Sequence, residues 1–116
     1  MVRNSYGKEK VHRYEQWRNP DVEEGGIIRI SGKFSLDHET EIINLIKHED
    51  KLAQERNPNH KVTKIEKEDD MLIVETSVHN LAERIGHALK RAYKGEFELK
   101  FRPGEKFVEI DWRREN

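Results

Sequence analysis

Cysteine is missing from all 116 residues, which removes disulfides, zinc–thiolate sites and thiol catalysis together. Also lacking is any apolar run near the ~20 residues that a membrane-spanning helix needs. The opening stretch, MVRNSYGKEK, holds no hydrophobic segment. No secretion signal is therefore predicted, and cytoplasm is the default expectation. Net charge is nearly absent as well, with 22 Lys and Arg against 23 Asp and Glu. A weak overall field means that any nucleic-acid contact must come from a local patch.

Catalytic signatures are equally scarce. No glycine-rich phosphate loop follows a strand, and no nucleophile motif appears. The run GHALKRAYKG lacks the Gly-Lys-Ser/Thr ending of a P-loop. Six histidines are present, His12, His38, His48, His60, His79 and His87, but no two share the i, i+4 spacing of a helical metal pair. His38 with Glu41 or Asp37, and His48 with Asp50, read as local surface pairs. The acidic KEDD (67–70) reads as a hairpin turn. These absences predict no catalytic residue, no metal, no cofactor and no enzyme.

What is there is charge in ordered places. Charged residues make up 39%, against a usual share of about 25%, yet the apolar residues fall in periodic patterns that predict a folded chain. Residues 1–25 lack any core period and end in NPDVEEGG, which reads as an arm and linker. Residues 26–116 read as one domain.

GIIRISG (26–32) is a strand, with Ile28 and Ile30 on one side or Ile27, Ile28 and Ile30 as a buried run. Ile42, Leu45, Ile46, Leu52 and Ala53 recur at helical spacing. Ser35 is placed to cap, and the helix is predicted over roughly 36–56. KVTKIEKEDDMLIVETS predicts a hairpin turning at Asp69-Asp70, with Val62 and Ile65 inward on its first strand. Ser77 is expected to cap a second helix that runs to about Lys94, with Gly95 as its stop. EFELKF places Phe97, Leu99 and Phe101 inward, Pro103-Gly104 turns the chain, and KFVEIDW returns with Val108, Ile110 and Trp112 on the core face. The order β-α-β-β-α-β-β predicts an α+β two-layer sandwich: a mostly antiparallel sheet of about five strands with two amphipathic helices on one face. A ferredoxin-like split βαβ core with one added strand is the simplest version.

On a helical wheel the second helix divides cleanly. Val78, Leu81, Ala82, Ile85, Ala88, Leu89, Ala92 and Tyr93 share one arc. Arg84, His87, Lys90, Arg91 and Lys94 share the opposite one, interrupted only by Glu83, which is placed to pair with His87. Lys and Arg late in a helix also suit its dipole, so a plain solvated face is one reading of this row. A phosphate-binding surface is the other. The first helix, with six acids and three bases over 36–56, segregates charge away from the second. Gly86, mid-helix, costs roughly 1 kcal/mol relative to Ala. It either admits a phosphate backbone or lets the helix pack closely on the sheet.

The arm YGKEKVHRYEQWRNP interleaves bases with aromatics, among them Lys8, Lys10, Arg13 and Trp17. Bases hold phosphates and rings stack on unpaired bases, which suits an RNA-binding extension that orders on binding. Alternatively Val11, Tyr14 and Trp17 form an extra helical turn against the domain.

ISGKFSLDHETEIINLIKHEDKLAQERNP, IEKEDDMLIVETSVHNLAERIGHALKRAYKGEFELKF and FVEIDW together resemble a little-characterised family of small bacterial proteins found among stress-associated genes. The resemblance spans about residues 26–113 and is most specific over Thr76–Phe101. That family usually carries an N-terminal cysteine zinc knuckle, which this chain lacks, the basic–aromatic arm standing in its place. More distantly, DDMLIVETSVHNLAERIGHAL is similar to a ribosomal-protein-like segment of the nonsense-mediated-decay-three family, an adaptor that escorts the large ribosomal subunit. The resemblance implies association with the ribosome or ribosomal RNA.

The expected function is a small ribosome-associated, RNA-binding protein acting in stress hibernation or subunit quality control. Arg84, His87, Lys90, Arg91 and Lys94 would contact phosphates, with Lys8, Lys10, Arg13 and Trp17 in the arm. The rival is a protein-interaction or homodimeric module without nucleic acid. In it, the acidic helix of one copy meets the basic helix of another, or the terminal strand 106–112 pairs edge to edge.

Overall fold

A computed structural model describes residues 25–101 and 106–116. The arm as far as Glu24 and the Pro103-Gly104 turn lie outside the described residues. Strand β1 (Gly26–Ser31) alternates: Ile28 and Ile30 are fully buried, while Ile27, Arg29 and Ser31 are half-buried. The alternating reading of GIIRISG therefore holds over the continuous buried run. There follow α1 (Lys33–Asp37), α2 (Glu39–Arg56), β2 (Val62–Glu68), β3 (Met71–Thr76), α3 (His79–Tyr93), β4 (Glu96–Phe101) and β5 (Val108–Arg113).

The five strands make one sheet in the order β2-β3-β1-β5-β4. All neighbours are antiparallel except β1 and β5, which are parallel. This is the α+β arrangement expected, with a particular placement of the added strand. After α3 the chain goes out to the sheet edge as β4 and returns as β5 into the slot beside β1. That return reverses the strand next to β1 and makes the pair parallel.

The register stacks Ile28 beside Val74 and Ile110, and Ile30 beside Leu72 and Trp112. These six are buried, and they form one core with Ile42, Ile46 and Ala53 of α2 and Leu81, Ala82, Ile85 and Leu89 of α3. Each large aliphatic side chain so buried contributes about 1.5–3 kcal/mol. Helix α2 is tied over β2 at both ends: Lys67 Nζ bonds Glu39 Oε1 at 2.9 Å, and Val62 N–H donates to Asp50 Oδ1 at 2.8 Å.

Several local expectations give way to tertiary bonding. Ser35 does not cap the long helix; it is buried within α1, where its Oγ donates to the Gly32 carbonyl at 2.6 Å. The chain bends at His38, whose Nδ1 lies 2.9 Å from Glu41 Oε1, before α2 begins. Ser77 does not cap α3 either. Its Oγ donates to the Asn59 carbonyl at 2.7 Å and accepts from the Lys61 N–H at 3.0 Å, stitching the loop to β2. Val62 and Ile65 are three apart yet both half-buried, because a register shift between Val62 and Lys64 inserts one extra residue. Phe101 lies on the helix side, its ring 5.8 Å from that of His79, but remains 51% exposed at the end of the edge strand β4. Ala92, placed on the apolar arc by the wheel, is exposed.

The turn into α1 needs a glycine. Gly32 has φ +101°, and a Cβ there would collide with the Arg114 carbonyl. The C-terminal residues clamp this corner: Phe34 N–H donates to Arg114 O at 3.1 Å, and the Arg114 guanidinium sits 4.0 Å over the Phe34 ring.

Candidate nucleic-acid interface

Helix α3 is pinned by Ile85 and Leu89, both fully buried, and by Gly86. A Cβ on Gly86 would stand 2.8 Å from Phe97 Cε1 and 3.2 Å from two carbons of Ile110. Close packing on β4 and β5 is therefore what this glycine serves, and it faces the core rather than any phosphate.

On the opposite side His87, Lys90, Arg91 and Lys94 are exposed and Arg84 is half-buried. At 1.5 Å per residue the row from Arg84 to Lys94 is ~15 Å long. Its members are not equivalent. Lys90 Nζ donates to the Gly95 carbonyl at 3.0 Å, closing the end of its own helix. Two further donors complete that end: Arg114 Nη1 to Tyr93 O and Trp112 Nε1 to Lys94 O, both at 2.6 Å. The His87 ring lies 5.1 Å from the Phe97 ring, at the border of the sheet. The expected pair with Glu83 does not form, because Glu83 reaches back one turn to His79, with Nδ1 and Oε2 2.7 Å apart.

Among the described residues, Arg84, Lys90, Arg91 and Lys94 make no ion pair with any carboxylate. Their own neighbours are unfavourable: Arg91 with Lys94 stands at i, i+3, and Lys90 with Lys94 at i, i+4. Like charges so spaced cost roughly 0.2–0.5 kcal/mol each. The helix dipole favours Lys90 and Arg91 in the last turn, but it does not account for Arg84 in the second turn.

The acidic helix is in a different condition. Asp37 bonds Lys33, Glu39 bonds Lys67, and Asp50 accepts from Val62 N–H and Gln54. The hydrogen bond that Lys67 donates to Glu39, with the charge of that carboxylate, raises the Lys67 pKa above the ordinary lysine value.

At its N-terminal end α3 meets the end of α2 in a small cleft lined by Ala53, Arg56, His60, Asn80, Leu81 and Arg84. Sequence reasoning put Arg84 on the row and left Arg56, His60 and Asn80 out. The signal for them was available: a split βαβ unit lays its two helices antiparallel, which brings the last turn of one beside the first turns of the other. Lys8, Lys10, Arg13 and Trp17 lie outside the described residues.

The expected edge-to-edge pairing through the terminal strand fails on topology. β5 is flanked by β1 and β4 and has no free edge; the sheet edges are β2 and β4. Among the described residues no helix is long and apolar enough to cross a membrane, and no three His, Asp or Glu side chains gather as a metal-binding group. Comparisons with protein-family models, with curated proteins and with solved structures return no match.

Proposed function

We propose that this chain is a small RNA-binding protein that associates with the ribosome through the outer face of α3, in the setting of stress, hibernation or subunit quality control. The observation that supports the reading is the unpaired basic row. Arg84, Arg91 and Lys94 keep their charge without an acid partner among the described residues, on a face held rigid by the buried Ile85 and Leu89. Phosphate contacts of this kind fix position and supply affinity without reading sequence. A partner held through its phosphate backbone, such as ribosomal RNA, suits them. Lys90 and His87 serve as secondary contacts, because each already has a partner within the fold.

Co-sedimentation with purified ribosomes tests the reading. The wild-type chain should pellet with ribosomes at low salt and be released as salt rises. Arg84→Glu with Arg91→Glu should stay in the supernatant while keeping the wild-type circular dichroism spectrum. Pelleting that survives both charge reversals would remove α3 from the interface.

Self-association through unlike helices is the weaker reading, because much of the acid on α1 and α2 is occupied within the fold. Light scattering should find a monomer across the accessible concentration range.

A further inference from the structure

The cleft between the end of α2 and the start of α3 collects more positive charge than either helix announces. Arg56 stands in the last turn of α2, Arg84 in the second turn of α3, and His60 on the connection that leaves α2. Among the described residues no Asp or Glu lines the cleft, and neither arginine has an ion-pair partner. Glu83, beside Arg84 in sequence, is turned to His79 at 2.7 Å. Both arginines line the cleft with no acid paired to them among the described residues, so an anion entering it would meet uncompensated positive charge.

Three features say which anion. The cleft volume is about 40 Å³, larger than the ~10–15 Å³ that admits one water and small enough that a single compact group fills it. Its donor-bearing residues come from α2, the connection after it and α3. Planar guanidinium forks match a phosphate with paired N–H bonds. His60 Nε2 lies 3.2 Å from Asn57 Nδ2. With that nitrogen accepting from the amide, Nδ1 carries the ring proton and is a donor in the neutral form. Finally, Val78 gives α3 no side-chain cap, so the first N–H groups of the helix keep their positive end for an outside acceptor, and Asn80 and Leu81 at that end line the cleft.

We infer that this cleft is a phosphate-binding site, formed by Arg56, His60, Asn80 and Arg84, that takes one phosphate group at a time. The group comes either from an RNA backbone lying along α3 or from a free phosphate or monoester. Arg84 belongs both to the cleft and to the row on α3. The inference therefore extends the RNA-binding reading at one end, but it rests on Arg56 and His60, which that reading does not use.

The test is an amide and arginine side-chain NMR titration of the full chain with inorganic phosphate, alongside chloride at matched ionic strength. Phosphate should give saturable shifts at Asn80, Leu81 and the Nε–H signals of Arg56 and Arg84, with millimolar affinity; chloride should not. Arg56→Gln should weaken phosphate binding at least fivefold, and Arg113→Gln, on the sheet face, should leave it unchanged. A second arm uses an oligouridine with a 5′-hydroxyl, whose only phosphates are backbone diesters. Shifts of the same cleft signals by that RNA identify the backbone as the source, and shifts by inorganic phosphate alone identify a free phosphate or monoester. Signals that do not move with either ligand, or that move equally in Arg56→Gln, overturn the site. The two ideas fail separately: ribosome pelleting that ignores Arg56→Gln with no phosphate shift removes only the cleft. Phosphate binding without pelleting removes only the ribosome.

Discussion

On the open face of the sheet Arg29 lies 3.5 Å from Glu109 and 3.6 Å from Asp111, Lys64 lies 3.1 Å from Glu66, and Arg113 pairs with Glu115. On the outer face of α3 the same residue types, Arg84, Arg91 and Lys94, have no acid beside them among the described residues. Both surfaces are rich in charge, and both lie opposite a buried core. They differ in what the backbone period puts next to each base. Along β1 and β5 the register sets Arg29 against Asp111, and opposite charges facing each other across strands are favourable. Along α3 no acid stands at i, i+3 or i, i+4 from Arg84, Lys90 or Arg91, and Lys90 and Arg91 have Lys94 there instead. These bases of the sheet face are thereby paired within the fold, whereas Arg84, Arg91 and Lys94 have no acid partner among the described residues.

The contrast can be broken most forcefully from beneath. Gly86→Val puts two methyl groups where even a Cβ stands 2.8 Å from Phe97. It should destabilise the chain by about 1–3 kcal/mol, the usual cost of overpacking, read as a lower urea midpoint. A midpoint equal to wild type would mean that the helix is not seated on β4 and β5 as described.

A smaller effect is expected on the sheet. Arg29→Gln removes two partly exposed pairs and should cost about 0–1 kcal/mol, with ribosome pelleting unchanged. Loss of pelleting in Arg29→Gln would erase the distinction between the faces.

Smallest is the acid response of the C-terminal clamp. The Glu115 carboxyl is held below the ordinary carboxylate value, chiefly by its hydrogen bond from Arg113 and next by the Lys33 N–H. Because the folded value lies below the unfolded one, this contribution is complete above the unfolded pKa and disappears as pH falls through the folded pKa. Urea midpoints from neutral to acid pH should therefore fall slightly less in Glu115→Gln than in wild type. Identical pH profiles would show that the clamp carries no linkage.

The sequence made some of this legible and hid the rest for physical reasons. Val108, Ile110 and Trp112 were readable because strict alternation leaves one assignment of inside and outside, and all three are fully buried. The basic row on α3 was readable for the same reason at helical period. Ser35 and Ser77 misled, since both carry good local capping chemistry but bond instead to Gly32, Asn59 and Lys61. Nothing local reveals that choice. The position of β5 inside the sheet was also hidden, because two strands joined by a turn look alike whichever of them takes the edge. Gly86 was ambiguous until the helix was set against Phe97 and Ile110. The cleft escaped because its two arginines sit on different helices, which meet only once the antiparallel helix pair of the fold class is built.

The most direct test of the claim that α3 carries free charge and the sheet does not is the salt dependence of RNA binding. Fluorescence anisotropy with a single-stranded ribosomal RNA fragment, repeated over a salt series, gives the slope of log K against log salt. Each lost phosphate contact reduces that slope by about 0.7 for single strands. Arg84→Gln with Arg91→Gln should flatten the slope by about 1.4, whereas Arg29→Gln with Arg113→Gln should leave it at the wild-type value. Equal slopes for wild type and the α3 variant, or an equal flattening by the sheet variant, would contradict the account.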